Sequence, residues 1–220
     1  MRQLDALIPF LALSHEDVFR LIRDERAVWP FEGAEDSLPS SYDTYRVQVT
    51  HGAFLLGYSY SEAFLADLVR EIYTKKPSML SKDKGKDEGK EQDKQLQFSE
   101  ILKVSCYKEV LTLMIEKEVL AVFRHQKGMA GVAEYFEKKP KLKWPEQEKE
   151  KAIRASLIRN CIIHNLAIAD SMLAEVSDYR EGDEIALTVS DVHQYGLVIR
   201  SLARDLYTRA EAGILRGGST

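Results

Sequence analysis

Apolar residues recur three and four positions apart through most of the chain, and that spacing predicts helices rather than strands. Residues 3–27 read as helical after Pro9: behind a Ser14 cap and acidic Glu16 and Asp17, Val18, Phe19, Leu21 and Ile22 give one apolar side, Trp29-Pro30 ends it, and 30–41 reads as a loop. A long helix is expected from Tyr42 to about Lys75, carried by Tyr45, Val49, Phe54, Leu55, Tyr58, Phe64, Leu65, Leu68, Val69 and Ile72. Periodicity resumes at Phe98 and Ile101 and runs to about Phe123. A turn at Gly128–Gly131 and a short helix over 132–137, closed by Pro140, follow. Pro145, with Glu146 and Glu148 suited to the positive end of a helix, opens a helix expected to reach about Val176. A turn and a short extended piece over 179–187 lead to a last helix, capped by Thr188, Ser190 and Asp191, with Val192, Leu197, Leu202 and Leu206 on its apolar side.

The segment 81–94 breaks the pattern. It holds five Lys, five acids, two Gly and no apolar residue, so it is expected to be a mobile, solvated loop within 81–97. The resulting expectation is an all-α chain: an N-terminal helix and loop (1–41), one helical domain (42–213) and a disordered tail (214–220). Twelve Gly and six Pro in 220 residues suit that class, and 45% hydrophobic residues are enough to build a core. A net charge of −4 does not advertise nucleic-acid binding, although a local basic patch matters more than the total. Lys138, Lys139, Lys141 and Lys143, beside Trp144, are the one compact basic cluster, either a solubilising loop or a lip that contacts phosphate. Cys106 and Cys161 lie in apolar helical patterns and are expected in the core, forming neither a disulfide framework nor a zinc site. No apolar run reaches the roughly 18 residues that span a bilayer, so no membrane partner is expected and the cytoplasm is the default location.

Candidate chemistry concentrates in Leu157-Ile158-Arg159-Asn160-Cys161-Ile162-Ile163-His164-Asn165. Asn160 and His164 are four apart and share a helix face, and the long Arg159 side chain can swing round to meet it. Leu157, Cys161, His164 and Ile168 form one stripe; Ala155, Ile158, Ile162, Leu166, Ala169 and Leu173 form another, so burial on two sides is expected. Glu62 is the one carboxylate in the apolar middle of the long first-domain helix and must find a partner, with Arg159 or Asn160 as candidates.

Arg159-Asn160, three residues, His164-Asn165 resembles the Arg-x4-His signature of RNase members of the HEPN superfamily, in particular the standalone prokaryotic RiboL-PSP-HEPN and MAE-like group. Tyr60-Ser61-Glu62-Ala63-Phe64 with Pro77-Ser78-Met79-Leu80, and Gly182-Asp183-Glu184-Ile185 with Leu187-Thr188, are similar to the same group. The resemblance covers most of 42–210. It implies an antiparallel helical bundle with a short extended segment before the last helix. It also implies a homodimer whose composite site cuts RNA to 2′,3′-cyclic phosphate and 5′-hydroxyl ends, in a toxin or antiviral-defence setting with an antitoxin or defence-system partner. In that reading His164 is acid and base, Arg159 holds phosphate and Asn160 positions, with Asn165, Glu62, Lys141 and Lys143 supporting. RNA carries its own 2′-hydroxyl nucleophile, so neither a metal nor a cofactor is needed: imidazole titrates near pH about 6.5 and guanidinium presents fixed donors to phosphate. HEPN toxins governed by a nucleotidyltransferase antitoxin usually place a Tyr two residues after the His. Leu166 stands there, so control by modification of that tyrosine is not expected. A non-catalytic dimerisation or RNA-binding module is the alternative.

Overall fold

The computed structural model describes residues 38–80, 100, 104–124 and 128–215. The expected N-terminal helical stretch (3–27), the charged stretch 81–97 and residues 216–220 lie outside them. Six α-helices are present among the described residues: α1 Leu38–Lys75, α2 Tyr107–Arg124, α3 Gly128–Lys138, α4 Glu146–His164, the short α5 Ser171–Ala174 and α6 Val189–Ala210. Glu100, a 3-10 turn at Pro77–Met79 and a π turn at Glu211–Leu215 are helical too, and the one β-bridge among the described residues pairs Ile168 with Glu184. The all-α class is therefore the observed one. No helix among these residues is long and apolar enough to cross a membrane.

The described residues divide into two compact units. One comprises 38–58 and 158–197; the other takes those of 59–157 and 198–215, so that α1, α4 and α6 are shared between them. In the second unit Leu68, Val69, Ile72 and Tyr73 of α1, Val119 and Val122 of α2, and Val132 and Phe136 of α3 are all buried. Phe136 is fully buried, with its ring centroid 6.2 Å from that of Trp144. α3 opens on Gly128 at φ +50, where a Cβ would lie 2.2 Å from Ser156 Oγ; that hydroxyl instead accepts the Met129 N–H at 3.3 Å. Only glycine satisfies both the left-handed backbone and the close approach. Gly128–Gly131, expected as a turn, is thus the first turn of α3 itself.

Two expectations on α2 are corrected. The helical run expected from Phe98 to about Phe123 is interrupted: Glu100 is helical, 104–106 is not, and α2 begins at Tyr107, where the Glu109 carboxylate accepts the Ser105 N–H at 2.6 Å and its hydroxyl at 3.0 Å, holding the chain in a helix start. Cys106, just outside that start, is exposed and not a core residue, whereas Cys161 is buried. α1 begins at Leu38, within the expected loop, with Pro39 in its first turn where a missing N–H is harmless. At the other end Ile214, placed in the expected tail, is buried in the π turn.

A sealed polar cluster sits inside the second unit. Lys139 Nζ lies 2.8 Å from Glu118 Oε1, with side chains only 11% and 5% exposed, and 5.8 Å over the ring of Tyr135. The Tyr135 hydroxyl meets that of Tyr73 at 2.5 Å; burial, then the Glu118 charge, push its pKa far above the phenol range. Removing one member of a buried pair strands the other charge, so Glu118→Ala is expected to lose about 3–5 kcal/mol in urea denaturation; under about 1 kcal/mol would mean that water reaches Lys139. The Arg70 fork on Glu116 (2.7 and 2.9 Å) is far more open, with side chains 39% and 42% exposed. Arg70 lowers the Glu116 pKa, so its stabilisation, about 1 kcal/mol at most after screening, is present above the ordinary carboxylate pKa and fades as pH falls through the lowered one. Glu116→Gln should lose up to about 1 kcal/mol at neutral pH and little below the lowered pKa, which flattens that acid limb; pH-dependent urea denaturation checks this.

Candidate functional site

The candidate residues of the first unit are set by the way α4 ends. Its apolar period continues to Leu173, yet the helix stops at His164 and does not reach Val176. The Cys161 carbonyl accepts both the Asn165 N–H (2.9 Å) and the Ala167 N–H (3.0 Å), closing the helix end. Leu166 (φ +53) and Ala167 (φ +63) take the left-handed conformation that normally selects glycine. The chain then runs antiparallel to 182–185: the Ile185 N–H donates to Ala167 O, the Ala169 N–H to Asp183 O and the Gly182 N–H to Ala169 O, at 2.8, 2.8 and 2.9 Å. Asp170 starts α5 by accepting the Leu173 N–H at 2.8 Å. His51, buried on α1, donates from Nε2 to Ile185 O at 2.9 Å, since a carbonyl can only accept. The ring of Phe54, also on α1, meets Tyr195 of α6 edge-on at 5.3 Å.

Ile158 and Cys161 point into this unit and are buried, which turns Arg159 and Asn160 to half-exposed positions and leaves His164 exposed. Burial on two sides is only partly realised. Ala155, Ile158, Ala169 and Leu173 are buried, Ile162 is half-buried and Leu166 is open to solvent. Burial also pushes the Cys161 thiol above its ordinary pKa, which keeps it protonated and a poor nucleophile.

Arg159 Nη1 donates to Asn160 Oδ1 at 3.0 Å, and its guanidinium carbon lies 6.0 Å from the Tyr58 ring centroid. Neighbouring residues on a helix do not face each other, so the arginine bends across the surface to make this contact. The amide oxygen must face the guanidinium, which has no acceptor, and the amide NH2 is left as a donor. Together the two side chains present an array of donors suited to an anion such as a phosphate oxygen. His164 lies four residues beyond Asn160, on the same face of α4.

The structure thus brings Arg159 and Asn160 together and places His164 one turn on. Asn165 serves through its backbone, its N–H on Cys161 O and its carbonyl accepting the Ile168 N–H at 2.9 Å. Half-buried Glu62 on α1 belongs to the second unit, as do Lys141 and Lys143, exposed between α3 and α4. Lys141 is left-handed at φ +61, and the Lys143 carbonyl accepts Arg209 Nη1 at 2.7 Å. Tyr58 was not anticipated as a partner of Arg159, because on a helix as apolar as α1 its ring reads as core. Among the described residues no group of three His, Cys, Asp or Glu side chains is placed to hold a metal ion. No family model, curated protein or solved structure matches this chain.

Leu166 is 90% exposed, so replacing it forfeits almost no packing. Leu166→Gly should relieve the left-handed strain and stabilise the isolated chain by up to about 1 kcal/mol, the gain being reduced by the entropy that glycine adds to the unfolded chain. Chemical denaturation at low protein concentration checks this. A loss of about 1 kcal/mol or more would mean that the side chain packs within its own chain.

Proposed function

We propose that the chain is a HEPN-like ribonuclease of the toxin or antiviral-defence kind, acting as a homodimer. The observation that carries the reading is the half-exposed Arg159–Asn160 pair, followed one turn later on α4 by an exposed imidazole. Arg159 and the Asn160 NH2 hold non-bridging oxygens of the scissile phosphate and offset the charge that builds on them. One His164 takes the proton of the 2′-hydroxyl as its oxygen attacks phosphorus. The P–O5′ bond breaks, and a second His164 gives a proton to the leaving oxygen, yielding a 2′,3′-cyclic phosphate and a 5′-hydroxyl. Each chain supplies one such histidine, so two copies are needed for acid and base to stand on opposite sides of the phosphate. Histidine, arginine and the RNA's own hydroxyl complete this chemistry, and no step requires a metal. An antitoxin or defence-system partner would restrain it in the cell.

A second reading has its own support. Arg159 is already engaged by Asn160 and Tyr58, which also suits a non-catalytic dimerisation or RNA-binding module. Incubation with single-stranded RNA in excess EDTA separates the two. The wild type should cleave, His164→Ala should lose about 100-fold or more, and Arg159→Ala should lose both rate and affinity. His164 is exposed, so its replacement leaves the fold intact and circular dichroism unchanged. RNA binding without cleavage by any form would establish the module instead, and absence of any RNA contact would overturn both.

A further inference from the structure

The outer side of α6 carries charge that the chain itself does not use. In the second unit α6 buries Leu202, Leu206 and Ala210, and Ile199, Leu202 and Ala203 line a small cavity with Ser61, Phe64 and Leu65 of α1. Arg200, Arg204 and Tyr207 stand on the other side, within about 60° of one another round the helix axis. All three are exposed, the phenol at 41%. Arginines four apart on one helix face repel each other, and the isolated chain recovers nothing for it. Neither makes an ion pair among the described residues, whereas Arg209, across the helix, is bridged to Asp205. No carboxylate occurs from Val192 to Arg204. Asp205 belongs to the Arg209 bridge, and Glu211, one turn beyond Tyr207, is half-buried and already engaged.

The chemistry of the three side chains selects the occupant. A guanidinium presents its donors as a planar fork that fits phosphate oxygens, and two of them in line along a helix suit two phosphates of one strand. An aromatic ring beside them offers a stacking surface to an unpaired base. In a duplex the bases stack on each other and leave that ring idle, and an acidic protein segment would use the arginines alone. We infer that the outer side of α6 holds single-stranded RNA, with Arg200 and Arg204 on phosphates and the Tyr207 ring against a base. The inference rests on the RNA reading above and adds to it a binding surface built from residues other than Arg159, Asn160 and His164.

Fluorescence anisotropy of the full chain with a labelled 2′-O-methyl oligouridine, whose nucleophile is blocked, measures binding apart from cutting. The double variant Arg200→Gln, Arg204→Gln should bind about tenfold or more weakly at low salt. Its slope of log affinity against log salt should be shallower by about 1.4, as two lost contacts to a single strand require. Tyr207→Leu should lose about fivefold or more with the slope unchanged, and Tyr207→Phe should bind as the wild type does. The substituted side chains are exposed, so circular dichroism should not change. A double variant with wild-type affinity, or with the wild-type slope, overturns the inference. So does displacement of the oligonucleotide by poly-glutamate as readily as by unlabelled RNA, which marks a site for an acidic protein segment. Cleavage of unmodified RNA by the same samples keeps the two proposals apart. Binding through α6 with no cleavage by the wild type sustains the surface and ends the nuclease reading; a wild type that cuts and a double variant that binds and cuts equally well end the surface and leave the nuclease.

Discussion

Two backbone N–H groups converge on one carbonyl, that of Cys161, and this convergence fixes where α4 stops. The rest of the first unit follows from it. Because the chain turns left-handed at Leu166 and Ala167, it can lie against 182–185, and the Ile185 carbonyl comes to His51 on α1. A buried histidine side chain and a few main-chain bonds thereby hold a helix, a helix exit and an extended segment together without a sheet. Each bond satisfies a polar group that would otherwise be desolvated at a cost of about 1–3 kcal/mol, so the arrangement is specified by hydrogen bonding as much as by apolar area.

The polar groups of the protein fall into two kinds, and the contrast bears on what each is for. Glu118, Lys139, Tyr73 and Tyr135 engage one another largely away from water. Such a cluster specifies a core. Arg159 and Asn160 are only half-buried, and their bond engages the only side-chain acceptor of the pair at one lone pair while leaving several donors. A pair built that way is short of acceptors, and an anion supplies them. The same bond holds the guanidinium near Tyr58 before any ligand arrives, so less side-chain freedom remains to be lost on binding.

Much of this was legible in the sequence, and the failures have physical causes. The Thr188-x-x-Asp191 box caps α6 as expected, with the Thr188 N–H donating to the Asp191 carboxylate at 2.8 Å and its hydroxyl accepting the Asp191 N–H at 3.1 Å. Pro145, Glu146 and Glu148 mark the start of α4, and Pro140 follows the end of α3. The start of α2 was hidden because Glu109 reaches back four residues to Ser105 rather than three, outside the usual box spacing. The end of α4 was hidden more deeply. Asn165-Leu166-Ala167-Ile168 contains no Gly or Pro, and its apolar period points on to Leu173. The partners that stop the helix, Asp183 and Ile185, lie about twenty residues further along, and local propensity carries no record of them. Of the candidate site, residue types and spacing singled out Arg159, Asn160 and His164. The ring of Tyr58 and the anchoring of His51 required three dimensions, since both lie on a helix whose pattern shows only burial.

The misplaced helix end matters for chemistry. Had α4 continued to Val176, His164 would sit in mid-helix on a stripe shared with Cys161, whose side chain is 99% buried in this structure. His164, where the helix stops, is exposed to solvent, while Cys161, three residues back, is buried. The same stop pushes Leu166 outward instead of folding it into the second apolar stripe. One backbone decision therefore exposes an imidazole and a left-handed leucine two residues apart.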